Sequence, residues 1–410
     1  MDETDLRKLY YQDIAQYKAA FSNRFHAPTT IRLNFQVGEH QAFFTQSNAL
    51  IRTMYSILRL DKDILLLCCR LPGVALTQYA RKCLIDEIVL TNEIEGVHSS
   101  RKEIGDALSA LESQSEAKNK RVRFVGMVNK YLKLWRSERA PLQTCEDIRA
   151  LYDELVLEEV LAENPRHRPD GKVFRKDQTE LTSPTGKVLH TGVMPESRII
   201  DMTTEALRFL NDDSMEALYR VCAFHYMLEY IHPFYDGNGR LGRFIMSDRI
   251  AEILHPLLAY RLSQTIRENL KHYYDAFKVC NDFRSMGEIT PFMTMLLGMI
   301  ERAGTDLATS LNEKILTWER YASALRDGAV PGISKQMFPV YDVLVQAALF
   351  SETGISTKEL QDHLNISYGT VKSRLADVRN HALLLKETHG RENFYRIDIQ
   401  QMDKLLFQIS

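Results

Sequence analysis

Cysteine is sparse in this chain and carries no pattern. The six residues, Cys68, Cys69, Cys83, Cys145, Cys222 and Cys280, include no Cys-x-x-Cys pair. They sit mostly in apolar helical stretches and read as buried thiols of a reducing compartment, not as a disulfide framework. A basic excess is also missing: 52 Lys and Arg face 54 Asp and Glu, for a formal net charge of −2. Attraction of the whole molecule to a polyanion is thereby excluded, and any nucleic-acid contact must come from a local patch. Long hydrophobic runs are absent as well. The longest, near Ile64 to Leu71, is far short of the roughly 20 residues a membrane span requires and is followed by Pro72. The start, MDETDLRKLYYQ, is acidic where an export signal has a basic start and an apolar core. A cytoplasmic protein with no membrane partner is the expectation. No internal repeat or low-complexity tract appears.

What is present is the composition of an ordinary globular protein, 45% apolar and 26% charged, over 410 residues. That length exceeds one compact unit and accommodates two or three. Apolar residues recur at helical spacings through Leu76 to Val97, Ile148 to Leu161, Met215 to Ile231 and Leu241 to Leu258. Strand-like alternation is scarce before the C-terminus. The segment FHAPTTIRLNFQVGEHQ holds a short strand or a loop, and Asn164 to Arg198 reads as a long functional loop with a hairpin inside it. Gly and Pro in RDGAVPGIS, residues 326–334, mark a domain boundary.

The densest chemistry lies in HPFYDGNGRLGR, His232 to Arg243. Asp212, Asp213 and Ser214 are candidates to cap the helix beginning near Met215. Pro233 makes His232 a poor place to continue that helix, so the histidine is expected where it ends. The glycines of DGNGR let successive amides turn inward ahead of the next helix, which makes an anion cradle at its N-terminus. Arg240 and Arg243, three apart at the start of that helix, can both reach a polyphosphate. Cations at a helix N-terminus oppose its dipole, which argues against a purely stabilising role. Asp236 is a hard oxygen ligand suited to Mg²⁺ shared with substrate phosphates. His232 is largely neutral near pH 7 and can accept a proton from a hydroxyl.

This run resembles the signature HPFxDGNGRxxR of the Fic family at every specified position: His232, Pro233, Phe234, Asp236, Gly237, Asn238, Gly239, Arg240 and Arg243. The resemblance implies a helical core and transfer of AMP from ATP to a Ser, Thr or Tyr hydroxyl of a target protein or of the enzyme itself. It makes His232 the base and Asp236 the Mg²⁺ ligand. Asp236, Gly237, Asn238, Gly239, Arg240, Leu241, Gly242 and Arg243 become the nucleotide-binding loop. A related branch, the Doc toxins, phosphorylates its target with a differently composed loop, so the intact GNGR favours AMP transfer.

Upstream, TNEIEG places Thr91 and Glu95 four apart on one helical face, followed by Gly96. This is similar to the Fic inhibitory signature, which implies that Glu95 pairs with Arg243 in the space an ATP γ-phosphate needs. Some relatives use the same glutamate to assist AMP removal. KVLHTGV, including Lys187, Val188, Leu189 and His190, resembles the hairpin flap that clamps the target by strand addition; an ordinary hairpin is the alternative. Tyr273, Tyr274 and Asn281 match residues lining the nucleotide site in many relatives, with a core or interface role as the alternative.

From Ser334 to Ser410 the order of helices and strand-like pieces resembles a winged helix-turn-helix, with Ser356 or Thr357 as a cap and HGRE as the wing. Lys372, Arg374, Arg379 and Arg391 make it modestly basic. DNA binding and protein docking or homodimerisation both stand as its use. The expected architecture is mainly α, in three parts: residues 1–140 with the inhibitory helix, a Fic core with a small β-hairpin over 141–325, and a winged helix over 334–410. A nucleotide-sensing DNA-binding regulator is the rival of another class, and transfer or removal of a different nucleotide group is a third reading.

Overall fold

The structure is a computed structural model, and it describes residues 5–112, 123–182, 188–327, 334–389 and 392–407. Among the described residues helices dominate, with three small antiparallel sheets. Two compact units are formed: Met1–Asp61 with Ile85–Gly304, and Lys62–Leu84 with Thr305–Ser410. No helix among the described residues is long and apolar enough to cross a membrane.

In the first unit, Thr30–Val37 (β1) and His40–Thr45 (β2) pair antiparallel across a tight turn in which Gly38 takes φ +61°. The segment with an ambiguous sequence is therefore a hairpin. Two helices, Ala217–Ile231 and Asn238–Ile253, run through the centre of this unit and are buried nearly all round. A helix without a polar face belongs in a core, and these two carry the motif between them. The first starts at Ala217, not near Met215, and no side chain caps it. Asp212 instead accepts from the amide and hydroxyl of Ser214, and Asp213 pairs with the Arg220 side chain, so neither carboxylate reaches the helix's first amides. The long loop holds a second hairpin of Glu180–Thr182 (β3) and Val188–Thr191 (β4), with Leu181 opposite His190.

In the second unit, the helix Phe338–Phe350 precedes Ile355–Ser356 (β5), helices Thr357–Leu364 and Tyr368–Asn380, then Leu384–His389 (β6) and Glu392–Ile397 (β7). The sheet order is β5-β7-β6. Val340, Leu344, Leu360, Val371, Leu375, Leu383 and Ile397 form its core. Ser356 caps its helix in a reciprocal box with Glu359, and Ser367 caps the next. Of the expected features, Arg391 and the boundary segment 328–333 lie outside the described residues. Cys69 is exposed, against the expectation of burial, because it sits on the outer face of Asn48–Arg70; the six thiols are free.

Candidate active site

Every described residue of the candidate site belongs to the first unit. His232 ends its helix in the left-handed conformation, φ 53°, where Pro233 bars it from continuing helically. Gly237, at φ +80°, turns the chain into the next helix, which begins at Asn238 without any side-chain cap. The first amides of that helix are therefore left for a ligand or solvent.

The loop between the two helices is held from several sides. Asn238 accepts from the Phe234 amide at 2.9 Å and donates to the Phe234 carbonyl at 2.8 Å, so its side chain closes the loop and is not free for a ligand. The Phe234 ring stacks on Tyr152 at 3.7 Å between centroids and meets the edge of Phe174. Tyr152 also donates to the Asp236 carbonyl. Leu241 is a core residue, and Gly242 packs against Glu229, whose Oε1 a Cβ there would meet at 2.3 Å. Of the residues expected to bind nucleotide, Leu241 thus contributes packing.

The two motif arginines differ in what surrounds them. Arg240 has a side chain of 0% exposure, none of its three guanidinium nitrogens has a hydrogen-bond partner, and its nearest carboxylate is Asp236 at 3.8 Å. An unsatisfied buried cation is costly unless something else completes it. Arg243 is equally buried but fully engaged: Nε donates to the Thr91 hydroxyl at 2.8 Å, one terminal nitrogen to the Thr91 carbonyl at 2.9 Å, and the other to Glu95 at 2.8 Å. Burial disfavours its charge, yet the adjacent Glu95 more than offsets this and holds the guanidinium protonated. The helix Gly73–Ile94 stops one residue before Glu95, so the glutamate lies in the closing turn and not within the helix, with Gly96 at φ +73° behind it. Its carboxylate rests on Gly239, where a Cβ would sit 2.2 Å from Oε1.

The His232 side chain is half-buried. Burial, aided by His190 and Arg175, pushes its imidazole down to about 4, with Glu95 pulling the other way. It is a neutral base over the whole physiological range. His190 on β4 places Nε2 at 2.6 Å from the Tyr230 carbonyl, so that nitrogen carries the proton. Its Nδ1 faces the Asn281 amide at 3.4 Å, while Asn281 accepts from Tyr226. Tyr273 is buried, its hydroxyl 2.7 Å from His225 Nε2, and Tyr274 beside it is partly exposed. Val188 is exposed on the hairpin; Lys187 and the Leu189 side chain lie outside the described residues.

Sequence reasoning missed three residues. Arg175 is fully buried and donates Nε to the His232 carbonyl. Glu229 has a buried Oε1 without a partner, and its burial beside Glu95 raises it to about 8. His167 places Nδ1 3.6 Å from Asp236. An arginine or glutamate inside the apolar strings VFR and MLEYI was the only signal available.

Asp236 has a side chain 33% exposed at the mouth of the loop, and among the described residues no cluster of three or more His, Cys, Asp or Glu side chains could cage a metal. One open carboxylate beside a bare buried guanidinium suits a cation that arrives with phosphates, and not one held by protein alone.

An uncapped helix end, a buried cation without hydrogen bonds and a neutral imidazole are together suited to a phosphate-bearing ligand. Residues 143–248 match the Fic/DOC family, and the chain carries a Fic domain. It is 33% identical to "Protein adenylyltransferase Fic" of Aedes aegypti over 78 residues, 19% of this chain and 14% of the relative. With the protein of that name from Drosophila persimilis it is 30% identical over 139 residues, 32% of this chain and 26% of the relative. The chain thus matches about a seventh to a quarter of the length of these curated relatives. A solved Fic family protein from Desulfovibrio desulfuricans G20 shares the fold at 20% identity and a TM-score of 0.50, over 86% of this chain and 97% of that one.

Proposed function

We propose that this chain is a protein adenylyltransferase that moves AMP from ATP to a Ser, Thr or Tyr hydroxyl, and that Glu95 restrains it. The observation that carries the reading is Arg240, a buried guanidinium that makes no hydrogen bond and has only Asp236 at 3.8 Å, at the uncapped end of a core helix. A polyphosphate supplies the oxygens it lacks. His232, uncharged at neutral pH, takes the proton of the target hydroxyl. The hydroxyl oxygen then bonds to the α-phosphorus, the bond from that phosphorus to the bridging oxygen breaks, and pyrophosphate leaves. Mg²⁺, when bound, would be held by Asp236 and would neutralise charge on the phosphates. Arg240 and the loop amides hold the oxygens, and β3 and β4 seat the target segment by strand addition.

Glu95 accepts from one terminal nitrogen of Arg243, so carboxylate and terminal phosphate compete for that donor. ATP bound in that state presents its α-phosphorus wrongly for attack. Incubating the full chain and its Glu95→Gly variant with Mg²⁺ and α-labelled ATP tests this reading. Label on protein, greater in the variant, supports it; intact mass identifies the group transferred. No label in either protein would end it.

The element order Phe338–Phe350, β5, Thr357–Leu364, Tyr368–Asn380, β6, β7 supports reading the C-terminal part as a winged helix. Its second helix of the pair exposes Lys372 and Arg379, with Arg374 half-buried. A DNA contact through this helix predicts binding that weakens with rising salt; no binding at low salt leaves protein docking as its use.

A further inference from the structure

Arg175 is a fully buried charged group of the first unit that the reaction as described leaves without a role. Its side chain is fully buried, and its three hydrogen bonds go to backbone carbonyls: Nε to His232 at 2.9 Å, and the terminal nitrogens to Asp177 at 2.7 Å and Val193 at 2.9 Å. No carboxylate pairs with it among the described residues. Carbonyl oxygens carry partial charges only, so this burial costs stability that an apolar side chain of similar size would not.

The three carbonyls have a common meaning. Asp177 lies just before β3, Val193 just after β4, and His232 is the proposed base. The same two hairpin ends are stitched to the motif loop by backbone as well: Arg175 N to Pro233 O at 3.3 Å, and Val193 N to Ile231 O at 3.0 Å. Gly192 leaves room for the fork, since a Cβ there would lie 2.3 Å from a terminal nitrogen of Arg175. A planar fork with three fixed directions holds three carbonyls in one arrangement, which a lysine ammonium on a flexible stem does not.

We infer that Arg175 is a positioning residue that locks the base of the β3–β4 hairpin to the His232 carbonyl, so that seating a target on the hairpin and placing the imidazole are one event. The inference rests on the proposed AMP transfer. The groups facing His232 electrostatically are His190, Glu95 and Arg175 itself.

The test uses the full chain, with and without Glu95→Gly, and three changes: Arg175→Lys, Arg175→Gln and Gly192→Ala. Arg175→Lys keeps the charge and loses the fork, and should lower kcat at least tenfold, a typical cost of misplacing a reacting group by about 1 Å. Affinity for a non-hydrolysable ATP analogue should stay within about twofold, which separates positioning from general damage. Gly192→Ala should reproduce the loss, and the double variant should be no worse than either single. Arg175→Gln should also move the acidic limb of the pH profile to higher pH, while Arg175→Lys leaves it in place. Histidine-labelled NMR, with His232→Ala for assignment, reads the ring without turnover. A parental His232 resonance and parental kcat in Arg175→Lys would overturn the inference. A shifted resonance in a protein that transfers no AMP would sink the proposed reaction and leave the positioning role standing.

Discussion

Removing Glu95 should make the protein less stable and more active at once. In the structure its carboxylate meets Arg243 at 2.8 Å with a side-chain exposure of 24%, against 2% for the arginine. A hydrogen bond to a charged group contributes about 1.5–3 kcal/mol, and stranding a fully buried charge costs about 3–5 kcal/mol. Arg243 keeps two bonds to Thr91, and Glu95 is partly solvated, so the cost falls near 1–3 kcal/mol. For a unit of this size each kcal/mol moves the midpoint by about 2 °C, so Glu95→Gly and Glu95→Gln should melt about 2–6 °C lower without ligand. ATP with Mg²⁺ should then restore more stability in the variants than in the parent. Each tenfold gain in affinity adds about 1.4 kcal/mol once ligand saturates. Differential scanning fluorimetry over an ATP series, beside α-label transfer, measures both. Variants with the parental midpoint, parental ATP shift and no added transfer would refute the competition between carboxylate and phosphate.

Arg240→Met should raise ligand-free stability by about 1–3 kcal/mol, because it removes a buried charge that makes no hydrogen bond, and should abolish the ATP shift. A drop in ligand-free stability would speak against that account. His232→Ala should cost roughly 10² to 10⁴ in transfer rate with ATP binding retained, as equilibrium dialysis and label transfer together report. Because the folded His232 titrates near 4 and an unfolded histidine near 6.5, the unfolded chain binds more protons between those values, so this group makes stability fall as pH is lowered through that window. Glu229 acts oppositely. It is raised to about 8 when folded and ionises above about 4.3 when unfolded, so its contribution makes stability fall as pH rises through that interval. Glu229→Gln, which imitates the protonated acid, should match the parent near pH 5 and exceed it near pH 9 in urea titrations.

Local chemistry decided a definite part of this protein. A proline after His232 ends a helix there whatever packs around it, and glycine at 237 permits the positive φ that starts the next. Apolar residues at helical spacing, and a Ser356 with Glu359 three residues on, mark helices by interactions within a few residues. Such features are legible because their causes lie next to each other in the chain. The same proximity misled at Asp212 to Ser214, where Asp212 accepted from Ser214 and Asp213 from Arg220, leaving the helix start without a side-chain cap.

Other properties arose only when distant segments met. Arg240 and Arg243 are indistinguishable as residues three apart in one helix. Tertiary packing brings Thr91 and Glu95 to one of them and no hydrogen-bond partner to the other. Arg175 carries no distinguishing signal in the sequence, and its role appears only where three carbonyls from separate segments enclose it. Burial and partners, not residue type, set whether a charge is satisfied and where an imidazole titrates. Both are summed over neighbours in space, so the sequence named the chemical groups of the site and only the folded chain settled which of them are free to act.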